Sequence, residues 1–379
     1  MGKNYVESSL KRFLKRKVKI TMGFVVAFMI TGTIGFAEVQ PENITGEVPF
    51  ILNSGEKYIK QDNLNMKFED NKYVQGIFIG PNSANEFSTI KGKIETSDNL
   101  NISVNHYDAM GIWIRNGGEL DINSKNIVIN SLTEEVEKGS SYSIAKGIYL
   151  DNRMGPNNKG KGGKLNITAD TVNITAKATH ENAWAYGIHC ITRSTALGKD
   201  DVSRLIINAK DTNITAVTVT KGASNGIIAW SQGEVLINNG NVAITADNII
   251  NTRGNSLVEL NKSNNSQNTV KLDGDIVFEY NDKNSKTTID SDVIINLANK
   301  DSSFKGKIYI ESDVEQIPPE KSKVNNMTLN LSNGATWIME GDSFVNNSEL
   351  KGGVIDVGIG AKTLKIFNDN GIKMLGVSG

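Results

Sequence analysis

The sequence predicts an all-β protein, a right-handed parallel β-helix (β-solenoid) built from short strands, and three observations point there. An isoleucine pair seven residues apart recurs as Ile122 and Ile129, Ile167 and Ile174, Ile207 and Ile214, and Ile237 and Ile244. A Gly-Ile dipeptide keeps step with it at Gly76, Gly111, Gly147, Gly187 and Gly226, which are 35, 36, 40 and 39 residues apart. Such a period means stacked repeats. Around these markers lie GIYL (147 to 150), KLNIT (164 to 168) and VNIT (172 to 175), each alternating apolar with polar residues as a half-buried strand does. No helical pattern of ten or more residues separates them, which disfavours βαβ units. None of these strands closes a core alone. A coil does, by stacking Ile148 between Ile112 and Ile188 and so burying one continuous aliphatic interior.

Composition agrees with an ordered chain whose core is aliphatic. The 379 residues carry a net charge of −1, with 38% hydrophobic and 7% aromatic residues, and nothing in this balance asks for a nucleic-acid partner. The chain has 36 Gly and 6 Pro, which suits many turns and few rigid breaks. Cys190 is the only cysteine, so an intrachain disulfide and a site of several thiolates are both excluded. Alternation places Cys190 at the inward position held elsewhere by Ile114, Leu150 and Ala229.

Residues 1 to 37 read as an address, a signal helix ahead of the coil. Lys11, Arg12, Lys15, Arg16, Lys17 and Lys19 precede an apolar run from Met22 to Phe36, and the small-residue end of that run sets cleavage between Ala37 and Glu38. The run is short for a membrane helix and contains Thr31, Gly32 and Thr33. Its basic region is longer than that of an ordinary signal. The stretch YVESSLKRFLKRKVKITMGFVVAFMITG resembles the extended signal of type V autotransporters of Gram-negative bacteria.

Residues 38 to 75 carry weak strand signals and are expected to cap the exposed first edge of the coil. Regular turns are expected over 76 to 250. In the first of them Ile94, Leu100 and Ile102 stand in for the later pattern one residue out of step. Loops of variable length open at two places in each turn, among them 151 to 163 and 192 to 203, and insertions at equivalent places gather on one side of a solenoid. Arg153, Lys159, Lys161 and Lys164 would then lie beside Arg193, Lys199 and Arg204 as a basic patch.

The residue after each Gly-Ile pair points outward, which lines up Phe78, Trp113, Tyr149, His189 and Ile228 in one external column. Either the long loops fold over this column as a satellite core, or it is an exposed strip that docks a glycan or a partner's apolar side chains. The candidate binding surface is therefore Trp113, Tyr149 and His189 with Arg153, Lys159, Lys161, Arg193 and Lys199.

From 251 to 379 the isoleucine pair disappears, but alternation continues in TVKLDGDIVFEY (269 to 280), DVIINL (292 to 297) and FKGKIYIE (304 to 311). Pro318-Pro319 marks a surface loop. Residues 326 to 357 resemble the repeat near the membrane-proximal end of pertactin-like autotransporter passengers, through Leu329, Leu331, Ala335, Trp337, Gly341, Asp342, Ser343, Leu350, Gly352, Gly353, Val354 and Val357. The resemblance implies a passenger β-helix exported through the inner membrane to the cell surface, as adhesin or structural stalk. Its implied partners are a host-cell or glycan ligand, the secretion machinery and an outer-membrane β-barrel translocator. That barrel is read as many alternating segments of about ten residues. After Val357 there is only KTLKIF (362 to 367), so the translocator is expected outside these 379 residues.

Catalysis finds little support. His106, His180 and His189 are the only histidines, and no two stand at zinc-ligand spacing. Gly341-Asp342-Ser343 lacks the Gly-x-Ser-x-Gly elbow of a nucleophile and falls at a turn of the passenger repeat. Calcium-binding nonapeptides are absent. Polysaccharide lyases and hydrolases with β-helix folds need acidic residues clustered on adjacent turns. Here the outward position of the second strand reads Asp121, Asn166, Ile206 and Leu236. The expected function is a non-catalytic stalk or adhesin without cofactor or metal. The alternative is a carbohydrate-active β-helix enzyme, which would show three or more carboxylates converging in a groove where a stalk shows Asn and Thr.

Overall fold

The computed structural model describes residues 43–46, 50–52, 57–69, 75–81, 90–134, 143–152, 160–192, 199–280, 291–312, 326–368 and 371–378. The predicted signal segment and its cleavage site at Ala37 and Glu38 lie outside them.

The described chain is a parallel β-solenoid. Each turn supplies one strand segment to each of three ladders, and every segment pairs in parallel with its equivalent one turn away. The first ladder carries the column Ile77, Ile112, Ile148, Ile188, Ile227, Ile250, Ile276 and Ile308. The second stacks Ile59, Ile94, Ile122, Ile167, Ile207, Ile237, Leu260, Ile295 and Leu329. The third stacks Met66, Ile102, Ile129, Ile174, Ile214, Ile244, Leu272, Phe304 and Trp337. All three columns are buried and belong to one hydrophobic core. At about 25 cal/mol per Å2 of apolar area removed from water, stacked aliphatic side chains are the dominant favourable contribution in a fold whose exterior is polar.

The interior narrows where the third ladder meets the first. There Ala145, Ala176, Ala178, Ala183, Ala185 and Ala216 form a small separate core, which accounts for the alanines spaced through 176 to 185. Small side chains let the two sheets converge.

Three features differ from the sequence expectation. The segment read as a cap contains rungs of the coil itself: Lys57–Glu69 pairs in parallel with Lys91–Asn105 across one register shift between Gln61 and Asn63, and Ile59 and Met66 are its own seven-residue pair. The out-of-step turn is absorbed by a bulge between Glu95 and Asn99, so that Ile94 still faces Ile122 and Ile102 still faces Ile129. The boundary placed at 250 falls inside the long strand Glu234–Arg253, which crosses from the second ladder through the third and into the first. Coil continues beyond it in the segments Val270–Tyr280, Asp292–Leu297 and Asn326–Ser332. The last described elements form an antiparallel hairpin, Ala361–Asn368 with Gly371–Ser378, whose first strand pairs with Ser343–Val345.

Cys190 sits in the inward column between Leu150 and Ala229, fully buried, with its sulfur 3.2 Å from the Ser203 carbonyl oxygen. Burial pushes the thiol far above its ordinary range. In mildly alkaline buffer the native chain should therefore stay unlabelled by a thiol reagent for the time in which urea-unfolded chain reacts to completion. Rapid labelling of the native chain would contradict this placement.

Candidate functional site

The residues after the Gly-Ile pairs do line up. Phe78, Trp113, Tyr149, His189 and Ile228 are register partners on successive turns. Their rings interact along the column: Phe78 meets Trp113 edge-on at 5.0 Å, Trp113 stacks on Tyr149 at 6.0 Å, and Tyr149 lies 4.9 Å from His189. Such pairs contribute about 0.5–1.5 kcal/mol beyond the area they bury.

The column is not an exposed strip. Trp113 is 7% exposed, His189 5% and Tyr149 3%, which corrects the reading of these rings as a docking surface. Long side chains close over it. The Arg115 guanidinium lies 5.0 Å from the ring centres of both Phe78 and Trp113 and donates to the Pro81 carbonyl at 2.6 and 3.1 Å. The Lys146 ammonium sits 4.4 Å from the Tyr149 ring, and Tyr186 and Trp230 pack edge-on to His189 at 5.5 and 5.4 Å. Arg253 covers Trp230 at 3.8 Å. Beneath them the buried Asp151 carboxylate accepts from Trp113 Nε1 at 3.0 Å and from Tyr149 Oη at 2.9 Å. A buried charge held by two donors beside cations over ring faces is a satellite core outside the coil.

Nor do the described basic residues form a free patch. Lys164 and Arg204 are neighbours on adjacent turns, but Lys164 lies 3.7 Å from Glu119, and Arg204 pairs with Glu234. Lys161 is exposed, and the backbone just after it runs against Asp201, with Gly162 N donating to Asp201 O at 2.7 Å. Lys199 opens the one-turn 3-10 helix Lys199–Asp201. Arg153, Lys159 and Arg193 lie outside the described residues.

The outward side of the third ladder is an array of amides and hydroxyls. Asn101 Nδ2 donates to Asn65 at 2.7 Å, Asn99 to Asn63 at 2.8 Å and Asn213 to Asn173 at 2.9 Å. Among the described residues, no three His, Cys, Asp or Glu side chains gather as a metal would require. Ser343 is spent on structure: its hydroxyl donates to Gly341 O at 2.9 Å and accepts from Ile308 N at 3.1 Å.

Sequence periodicity gave no sign of one feature, a polar notch at the corner between the second and third ladders. Here the register shifts: Asn208 faces Asn239 and Asp211 faces Asn241, while Gly240 stands opposite the pair Ala209-Lys210 with its α-carbon tight against the Ala209 carbonyl. One turn further along, the loop 261 to 268 inserts at the same corner. Between loop and corner lies an open notch of about 430 Å3, lined by Asn208, Lys210, Asn239, Asn241, Gln267 and Asn268. The Asn-rich run 261 to 268 is its trace in the sequence, where it reads as an ordinary turn.

Removing the Asp151 carboxylate tests the satellite core. Asp151→Ala leaves the Trp113 and Tyr149 donors buried without their acceptor, and should cost about 2–4 kcal/mol in urea unfolding followed by tryptophan fluorescence. A loss below about 1 kcal/mol would mean that solvent reaches these rings.

Compared with protein-family models, with curated proteins and with solved structures, the chain matches none of them.

Proposed function

We propose that this chain is the exported passenger of a type V autotransporter, a non-catalytic rod that stands at the cell surface as a stalk or adhesin. The observation that carries this reading is the unbroken second column, from Ile59 to Leu329, in a ladder that keeps one register of buried aliphatic positions throughout. At about 4.8 Å per turn these nine positions span roughly 38 Å. Each turn rests mainly on its neighbours, so such a chain can fold progressively as it emerges from a translocator. A single cysteine leaves no intrachain disulfide to form on the way.

The outer surface supports a stalk more than a reaction centre. Several acidic side chains on it pair with cations: Glu119 with Lys91 and Lys164, Asp170 with Lys210, Glu234 with Arg204, and Asp273 and Glu340 with the Lys305 they share. Such pairs solubilise a surface and contribute little to stability. On this reading, the inner-membrane secretion machinery and an outer-membrane β-barrel are the partners that deliver the chain, and the ligand is a host surface or glycan.

Expression of the full chain in a Gram-negative host tests the proposal. The processed protein should be found outside the cytoplasm with Glu38 as its first residue, and antibody should reach it on intact cells that supply a matching translocator. An unprocessed chain retained in the cytoplasm would overturn the reading.

A further inference from the structure

We propose that the notch under the loop 261 to 268 is a binding site for a neutral oligosaccharide. The first support is rigidity. Asn261 is fully buried in a left-handed conformation, φ 52°, and acts as the hub of the loop. Its Oδ1 accepts from Asn268 Nδ2 at 2.9 Å, and its Nδ2 donates to the Asn296 carbonyl at 3.1 Å. Asn296 Nδ2 returns a bond to the Asn261 carbonyl at 2.9 Å, which ties the loop to the next turn. The roof of the notch is thus held in place before any ligand arrives, and a preformed site loses less entropy on binding.

The second support is the chemistry of the lining. Asn239 and Gln267 are exposed, and their side-chain amides make no hydrogen bond among the described residues. Asn208 spends its Oδ1 on Asn238 at 3.1 Å, which leaves its two N–H donors for the notch. Each free amide offers both donors and an acceptor, the complement of sugar hydroxyls that donate and accept at neighbouring carbons. The one cation among the lining residues, Lys210, is 2.7 Å from Asp170, and Asp211 accepts from Asn241 at 2.8 Å, so the notch offers no free positive charge to an anion. No aromatic ring lines it, and Arg, Trp and Tyr anchors are what a protein partner's hot spot would need. Ala169, half-buried at the edge of the notch, supplies a small apolar contact for the face of a sugar ring. At about 430 Å3 the notch lies within the range of about 300–1,000 Å3 usual for ligand sites.

This inference stands apart from the export reading, because a chain that never left the cytoplasm would carry the same notch. Its test is calorimetric titration of the purified full chain with cellohexaose, chitohexaose, maltohexaose and xylohexaose, and with polygalacturonate as the charged comparison. At least one neutral hexasaccharide should bind with a sub-millimolar Kd that added salt leaves unchanged. Asn239→Ala combined with Gln267→Ala should weaken that binding about tenfold with circular dichroism unaltered, whereas Asn213→Ala on the neighbouring face should leave it as it was. The proposal is overturned if none of the four neutral sugars binds, if only polygalacturonate binds, or if the double variant binds as well as the parent.

Discussion

The fold depends on a contact between a glycine that has no side chain and an isoleucine methyl group that fills its place. At Gly76, Gly111, Gly147, Gly187 and Gly226, an added Cβ would stand 2.3–2.5 Å from the Cγ2 of Ile102, Ile129, Ile174, Ile214 and Ile244 respectively. It would also stand 2.5–2.7 Å from the backbone carbonyl oxygen of the equivalent residue one turn on. Neither distance admits a carbon atom. Each glycine lets the first ladder close onto the third, and each isoleucine makes that closure dry. The two repeat markers stay in phase because each is one half of the same contact.

That contact also marks where the coil changes style. At the turn after Gly226 its position is taken by Ile249, which is fully buried, and no glycine of this set follows. Glycine reappears at 274 and 306 for a different reason: both have positive φ, and the α-carbon of Gly306 comes so close to the Gly274 carbonyl that a Cβ would lie 2.2 Å from it. The third column meanwhile passes from isoleucine through Leu272 to Phe304 and Trp337, whose rings stack at 5.6 Å. Larger side chains fill the interior that the lost glycine contact leaves open.

The columns were legible in the sequence because stacking forces the same residue type into the same place, turn after turn. Cys190 could be placed on that logic alone, since Leu150 and Ala229 hold its neighbours' positions. The rung at 57 to 69 escaped because Met66 replaces the second isoleucine and no Gly-Ile pair precedes it. The aromatic column was found, but its burial was not decided by its own residues. Arg115, Lys146 and Asp151 each share a strand with a ring they meet, but only register between turns sets Arg115 beside Phe78 and the Asp151 carboxylate beside Trp113. The notch was invisible for the opposite reason, since it arises where register shifts between Asn208 and Asp211 and periodicity fails.

A double-mutant cycle on Gly147 and Ile174 tests the central contact most directly. Gly147→Ala alone should destabilise the chain by about 2–3 kcal/mol, the cost of forcing a methyl group into a filled site. In the background of Ile174→Ala, which empties that site, the same glycine substitution should cost at least about 1 kcal/mol less, with part of the penalty persisting from the Gly187 carbonyl. An equal cost in both backgrounds would mean that glycine and isoleucine are not halves of one contact, and the account of the repeat would fail.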